Sequence, residues 1–214
     1  MTRINVIGGS GFAGGCIVRE AAARGHTVRS WSRSVPTEQT PGVEYLAGDV
    51  LDPEIERQAT ADADVVVMAL SPRGPMEGKV EGAVQAVANL AQAAGERLGV
   101  VGGAGSLLVA PGGPMLAETA DFPPSFKPEA DEMARVLADL RASDEALDWF
   151  FLSPAPGFSP PDPGERTGVF RLGGDVALWD DKGGSDISGA DFAVAFVDEI
   201  ESPAHHRQRF TLAY

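Results

Sequence analysis

Cysteine occurs once, as Cys16, so no internal disulfide can form and a disulfide-stapled secreted scaffold is excluded. Basic side chains are also few. The 17 Lys and Arg against 31 Asp and Glu give a formal net charge of −14, the wrong sign for a protein that grips nucleic-acid phosphates. Apolar runs of membrane-spanning length are missing as well. The longest uncharged window, 98–117, holds six glycines and two prolines and makes a poor lipid-facing helix. Met1-Thr2-Arg3-Ile4-Asn5 leads straight into a strand pattern, without the apolar stretch and cleavage site of a signal peptide. A cytoplasmic protein with neither nucleic-acid nor membrane partners is the expectation.

What is present is ordinary for a globular chain: 214 residues, 43% hydrophobic and 22% charged. That length is ample for one core, and no internal repeat or low-complexity segment occurs. Short β-rich runs alternate with Ala-rich helical ones. Strands are expected at 4–7, 27–32, 43–47, 65–70, 98–101 and 147–152. Helices are expected at 14–24, 53–59, 78–94 and 127–143, the last carrying Met133, Val136, Leu137 and Leu140 on one face. Such alternation implies right-handed crossovers and a Rossmann-like, doubly wound parallel sheet with helices on both faces. The last third differs. Residues 154–168 contain five prolines and three glycines and read as an irregular loop. Runs 169–172 and 176–179 flank Gly173-Gly174-Asp175 and suggest a hairpin, followed by a helix at 188–200 and a strand at 208–213. A single domain over 1–214, with a small cap contributed by about 154–188, is the expected organisation.

The most specific motif is Gly8-Gly9-Ser10-Gly11-Phe12-Ala13-Gly14, directly after the first strand and opening the first helix. A diphosphate needs backbone N–H groups at close approach, which side chains at Gly8 or Gly11 would obstruct. The helix N-terminus adds partial positive charge, and Gly14 lets that helix pack closely. Gly8, Ser10, Gly11, Phe12 and Gly14 are therefore candidate dinucleotide contacts.

The end of the second strand chooses between dinucleotides. NAD-selective sites place a carboxylate there, whereas this chain has Trp31-Ser32-Arg33-Ser34 and no acid until Glu38. Arg33 can pair with a 2′-phosphate, and Arg29 lies on the same strand. A charge-assisted hydrogen bond of about 1.5–3 kcal/mol is enough for roughly 10- to 100-fold preference, so NADP(H) is expected over NAD(H). Asp49 and Val50, after the third strand, suit the adenine. Ala69, Leu70 and Ser71, ending the fourth, suit the ribose.

Short-chain dehydrogenases commonly use a Tyr-x-x-x-Lys pair as proton donor. Here neither Tyr45 nor Tyr214 has Lys four positions later. A hydride acceptor that delocalises its charge, such as oxidised flavin, relaxes that need. Ser106, in Gly102-Gly103-Ala104-Gly105-Ser106, is the candidate catalytic hydroxyl, orienting substrate or nicotinamide, with Gly105 beside it as a cofactor contact. Its alternative is a turn serine bonded to local backbone. Lys127, Glu129 and Arg166 either touch ligand or close the cap.

The chain resembles the NADH-flavin reductase group of atypical short-chain dehydrogenases. The glycine loop, Gly102 to Leu107, Phe122-Pro123, Phe126-Lys127-Pro128-Glu129-Ala130 and Leu152-Ser153-Pro154-Ala155 carry the likeness. So do Pro163-Gly164-Glu165-Arg166-Thr167-Gly168, Ser185-Asp186-Ile187-Ser188, Asp191-Phe192-Ala193 and the run from His205 to Phe210. It extends more loosely to the flavin/biliverdin reductase B type and to NmrA-like regulators. The resemblance implies NAD(P)H binding, places Ser106 near substrate, and sets Pro154 and Ala155 beside the nicotinamide.

Other motifs are set aside. Gly74 to Val80 is one residue short of a P-loop and lacks its hydroxyl. His205-His206 has no second ligand pair, so no metal is expected. Cys16 reads as core packing. The expected function is an NADPH-dependent reductase passing hydride to a planar small molecule, with flavin as substrate rather than prosthetic group, in a monomer or homodimer. A non-catalytic NADP sensor and a tailoring reductase or isomerase of a specific metabolite are the alternatives.

Overall fold

Along the first strand, β1 (Arg3–Ile7), Ile4 and Val6 enter one apolar cluster while Ile7 enters another on the opposite face. The same alternation splits Val65 and Val67 from Val66 and Met68, and Phe150 and Leu152 from Trp149 and Phe151. A strand with apolar residues on both faces must be covered on both. The sheet accordingly lies between two layers of helices. The computed structural model describes residues 1–160 and 164–214.

After β1 come α1 (Phe12–Ala23), β2 (Thr27–Ser32), β3 (Val43–Ala47), α2 (Pro53–Thr60), β4 (Val65–Met68) and α3 (Val80–Ala94). Then follow β5 (Arg97–Val101), α4 (Lys127–Ala142), β6 (Trp149–Ser153), β7 (Arg171–Gly173), α5 (Gly189–Glu201) and β8 (Gln208–Ala213). The spatial order is β3-β2-β1-β4-β5-β6-β8-β7, with every pair parallel except β7 with β8. This is the Rossmann-like, doubly wound arrangement. Strand order reverses between β1 and β4, which opens a crevice at the carboxyl ends of the strands.

Local chemistry sets the boundaries. Asp52 caps α2 by accepting from the N–H of Glu54 at 2.9 Å, with Pro53 in the first turn. Gly11 is the N-cap of α1, which starts at Phe12, two residues before the sequence suggests. The buried carboxylate of Glu132 on α4 accepts from the N–H groups of Gly78 and Val80 at 2.6 Å each, which delays α3 until Val80. Buried Asn5 donates to the carbonyls of Ala59 and Ala61 at 3.0 Å each, tying the end of α2 to β1.

The expected hairpin across Gly173-Gly174-Asp175 does not form. β7 pairs instead with β8, Arg171 opposite Ala213, and Val176 makes a single bridge to Leu108. The reason is Asp175, whose Oδ1 accepts from Arg209 Nε at 2.7 Å and from Arg141 at 2.6 Å. The turn is drawn onto β8 and α4 rather than folding on itself. Of the Pro-rich stretch, Pro161, Asp162 and Pro163 lie outside the described residues, including the first residue of the motif at 163–168.

The described end of that motif is held structurally. Arg166 pairs with Glu20 on α1. Thr167 and Gly168 donate their N–H groups to Asp191, each at 2.8 Å. Gly189 brings α5 against α1 so closely that a Cβ there would lie 2.9 Å from Cys16 Sγ. Cys16 is buried, and that burial raises its thiol pKa although Arg19 opposes the shift.

Candidate functional site

The main cleft runs along the carboxyl ends of β1, β2, β4, β5 and β6 and measures about 1130 Å³. Pockets for one drug-sized ligand span roughly 300–1,000 Å³, so there is room beyond a single small molecule.

Its floor is the glycine loop. Gly8 has φ +92°, and a Cβ there would stand 2.4 Å from the carbonyl oxygen of Ala69. At Gly14 a Cβ would stand 2.3 Å from the carbonyl oxygen of Gly8, so only glycine lets α1 rest on the loop. Ser10 donates its N–H to Ser32 Oγ at 3.0 Å, and Gly11 to the carbonyl of Gly8 at 3.0 Å. The N–H groups of Phe12 and Ala13, in the first turn of α1, have no partner among the described residues. Unpaired amides at a helix N-terminus are what an anion requires.

The strand ends supply the walls. Arg33, the first residue beyond β2, is exposed and lines the cleft, with no hydrogen bond or ion pair among the described residues. Arg29 does not join it. On the strand it faces Glu44, to which its Nε donates at 2.9 Å. Asp49 lines the cleft while accepting from the N–H of Leu51 at 3.1 Å, and Val50 beside it is buried. Ala69, Leu70 and Ser71 continue the wall, as do Gly105, Pro154 and Ala155. The cleft thus gathers Gly8, Ser10, Gly11 and Phe12 with all of these; Gly14 sits behind the loop.

Ser106 is not among the residues lining this cleft. It is 5% exposed, its hydroxyl accepts from Arg209 at 3.2 Å, and it lines a separate cavity of about 710 Å³ with Arg141 and Asp175. Burial lowers the pKa of Arg209, against the effect of Asp175. Lys127 pairs with Asp131 at 2.5 Å outside the cleft, and Arg166 is held by Glu20. Of the polar candidates at the start of α4, only Glu129 lines the cleft.

Several cleft residues were not singled out from sequence. Arg73 pairs with Glu129, which also accepts from Ser71 Oγ at 3.4 Å. The Arg73 guanidinium sits over the Phe126 ring, 5.4 Å from its centroid. Phe126 and Trp179 remain 46% and 40% exposed at the cleft, a signal visible only once the fold leaves large aromatic faces open. Neither tyrosine lines it. Tyr45 accepts from the N–H of Thr40, and Tyr214 binds Asp191. Among the described residues no His, Cys, Asp and Glu cluster could hold a metal, and no helix is long and apolar enough to cross a membrane.

A model of the NAD(P)H-binding family matches residues 8–203, from the glycine loop to the end of α5. The chain belongs to that family. The uncharacterized protein YwnB of Bacillus subtilis (strain 168) is 39% identical over 211 residues, covering 98% of this chain and 97% of its own. The solved structure of a "putative NADH-flavin reductase" from Streptococcus pneumoniae TIGR4 is 35% identical, with TM-score 0.89 over 100% of this chain and 99% of that one. A "putative exported protein" from Burkholderia pseudomallei is 40% identical, with TM-score 0.88 over the whole of both chains. The likeness to the NADH-flavin reductase group thus covers the full chain, and the family's ligand fits the glycine cradle and open amides described above.

Proposed function

We propose that the protein is an NADPH-dependent reductase whose second substrate is a planar molecule such as a flavin, bound and released in the cytoplasm rather than held as a prosthetic group. The observation that carries this reading is the continuity of the cleft. It brings the open amides of Phe12 and Ala13 and the unpaired Arg33 into one cavity with the exposed rings of Phe126 and Trp179.

Each group has a part. Phe12 and Ala13 donate main-chain N–H groups to the pyrophosphate, and Gly8 and Gly11 keep the approach clear. Arg33 takes the 2′-phosphate, which favours NADPH. Asp49 and Val50 hold the adenine end, while Ala69 to Ser71 flank the ribose. Pro154 and Ala155 position the nicotinamide ring. The bound nicotinamide supplies the hydride. Neither tyrosine is placed to donate a proton, which suits an acceptor able to spread negative charge over its own ring.

Mixing the purified protein with NADPH and FMN or FAD tests the reading through loss of the reduced-nicotinamide absorbance. Consumption clearly above the uncatalysed rate is expected. Tight NADPH binding with no flavin reduction would favour the sensor alternative.

A further inference from the structure

Resting on the reductase reading, we propose that Arg73 is the specificity residue for the second substrate, and that it selects a planar acceptor bearing a phosphate by leaving Glu129 to bind that phosphate. Arg73 follows β4 and reaches across the cleft to Glu129 in the first turn of α4. Its side chain is 59% exposed, so the ion pair is open to solvent, and a pair so exposed is weakly held. A phosphate offers a guanidinium two oxygens and more charge than a carboxylate, which makes the exchange favourable.

Position decides which phosphate. Arg33 already stands at the end of β2, and the amides of Phe12 and Ala13 cover the pyrophosphate region. Arg73 is the other cation lining the cleft among the described residues, and it lies over the exposed Phe126 ring. An aromatic face with a guanidinium above it fits a flat ring whose side chain ends in an oxyanion. When Arg73 departs, Glu129 keeps the hydroxyl of Ser71 as a donor, so its carboxylate is not stranded. The acids at the cleft, Asp49, Asp121 and Glu129, repel an anionic acceptor that finds no such cation.

FMN and riboflavin share one ring system and differ by the phosphate, so their comparison isolates Arg73. Steady-state assays with NADPH should give a KM for FMN about tenfold below that for riboflavin, at similar kcat. In Arg73→Gln the two KM values should converge through a rise for FMN alone. Glu129→Gln, which releases Arg73, should widen the gap. Equal KM values in the unaltered protein would overturn the proposal, as would an Arg73→Gln variant whose defect lies in NADPH binding alone. The latter result would assign Arg73 to the dinucleotide's own phosphates. If neither flavin is reduced, the reductase reading fails by itself. Fluorescence titration of both flavins onto the NADP⁺-loaded protein then decides the present point: tighter binding of FMN than riboflavin, lost in Arg73→Gln, sustains it, and equal or absent binding ends it.

Discussion

The hydroxyl of Tyr214, the last residue, donates to the buried carboxylate of Asp191 at 2.8 Å. Asp191 lies in the first turn of α5, and the same carboxylate accepts from Thr167 Oγ1 at 2.7 Å and from two main-chain N–H groups. One side chain thereby fastens the C-terminus and the returning segment at 167–168 to a helix whose own N-cap is Ser188. Residues that look like site motifs in the sequence are here the clasp that closes the fold beside the cleft.

Asp191→Asn should therefore destabilise the protein by about 1–3 kcal/mol, because it removes a charged acceptor from a buried cluster of donors. Burial pushes this carboxyl pKa up, but the hydrogen bonds from Thr167, Gly168 and Tyr214 outweigh it and hold the native value below the ordinary one. A depressed native pKa contributes stability above the unfolded-state value, about 3.9, and loses it as pH falls through the native value. The stability difference between parent and variant should be full above about pH 4 and shrink below it. Urea unfolding at stepped pH checks both the size and the slope.

Arg33→Ala should weaken NADPH binding roughly 10- to 100-fold while leaving NADH binding nearly unchanged, since only the 2′-phosphate distinguishes the two. Calorimetric titration with each dinucleotide reads this directly. Equal losses for both would place Arg33 outside the selective contact. No fall in Tm is expected, because the side chain has no protein partner among the described residues.

The sheet and the glycine loop were legible in the sequence because their signals are local: apolar runs of strand length, then glycines, then a helical pattern. The route of the chain after Gly168 was not. Gly173-Gly174-Asp175 has hairpin chemistry, but the partner of β7 is β8, some 40 residues on, and the turn is claimed by Arg209 and Arg141. The setting of Ser106 is non-local as well, since the arginine that donates to its hydroxyl is 103 positions away. Nothing near Arg73 in sequence announces its partner Glu129 or the open face of Phe126.

Gly11 and Gly14 separate the two jobs of the loop. Gly11 has φ −74°, and a Cβ there would meet only the carbonyl oxygen of Gly8 at 3.2 Å, on a residue that lines the cleft. Gly11→Ala should change stability by less than about 1 kcal/mol yet weaken dinucleotide binding. Gly14→Ala forces a methyl into backbone and should cost about 1–3 kcal/mol in stability as well as affinity. Paired thermal melts and NADPH titrations distinguish the two variants.

Ser106→Ala tests the role of that residue. If its hydroxyl only completes the surroundings of Arg209, the variant should keep the parent's kcat and KM with flavin and lose about 1 kcal/mol of stability, the worth of one hydrogen bond. Asp175→Asn should be worse, by about 1–3 kcal/mol, because the Arg209 side chain is 2% exposed and would lose its carboxylate partner. The Asp175 carboxyl pKa is pushed up by burial but held below its usual value by Arg209 and Arg141, so this contribution should also fade as pH falls below about 4. A Ser106→Ala variant that folds normally but loses a hundredfold in kcat would return the serine to the reacting centre, and would require Arg209 to release it when substrate binds.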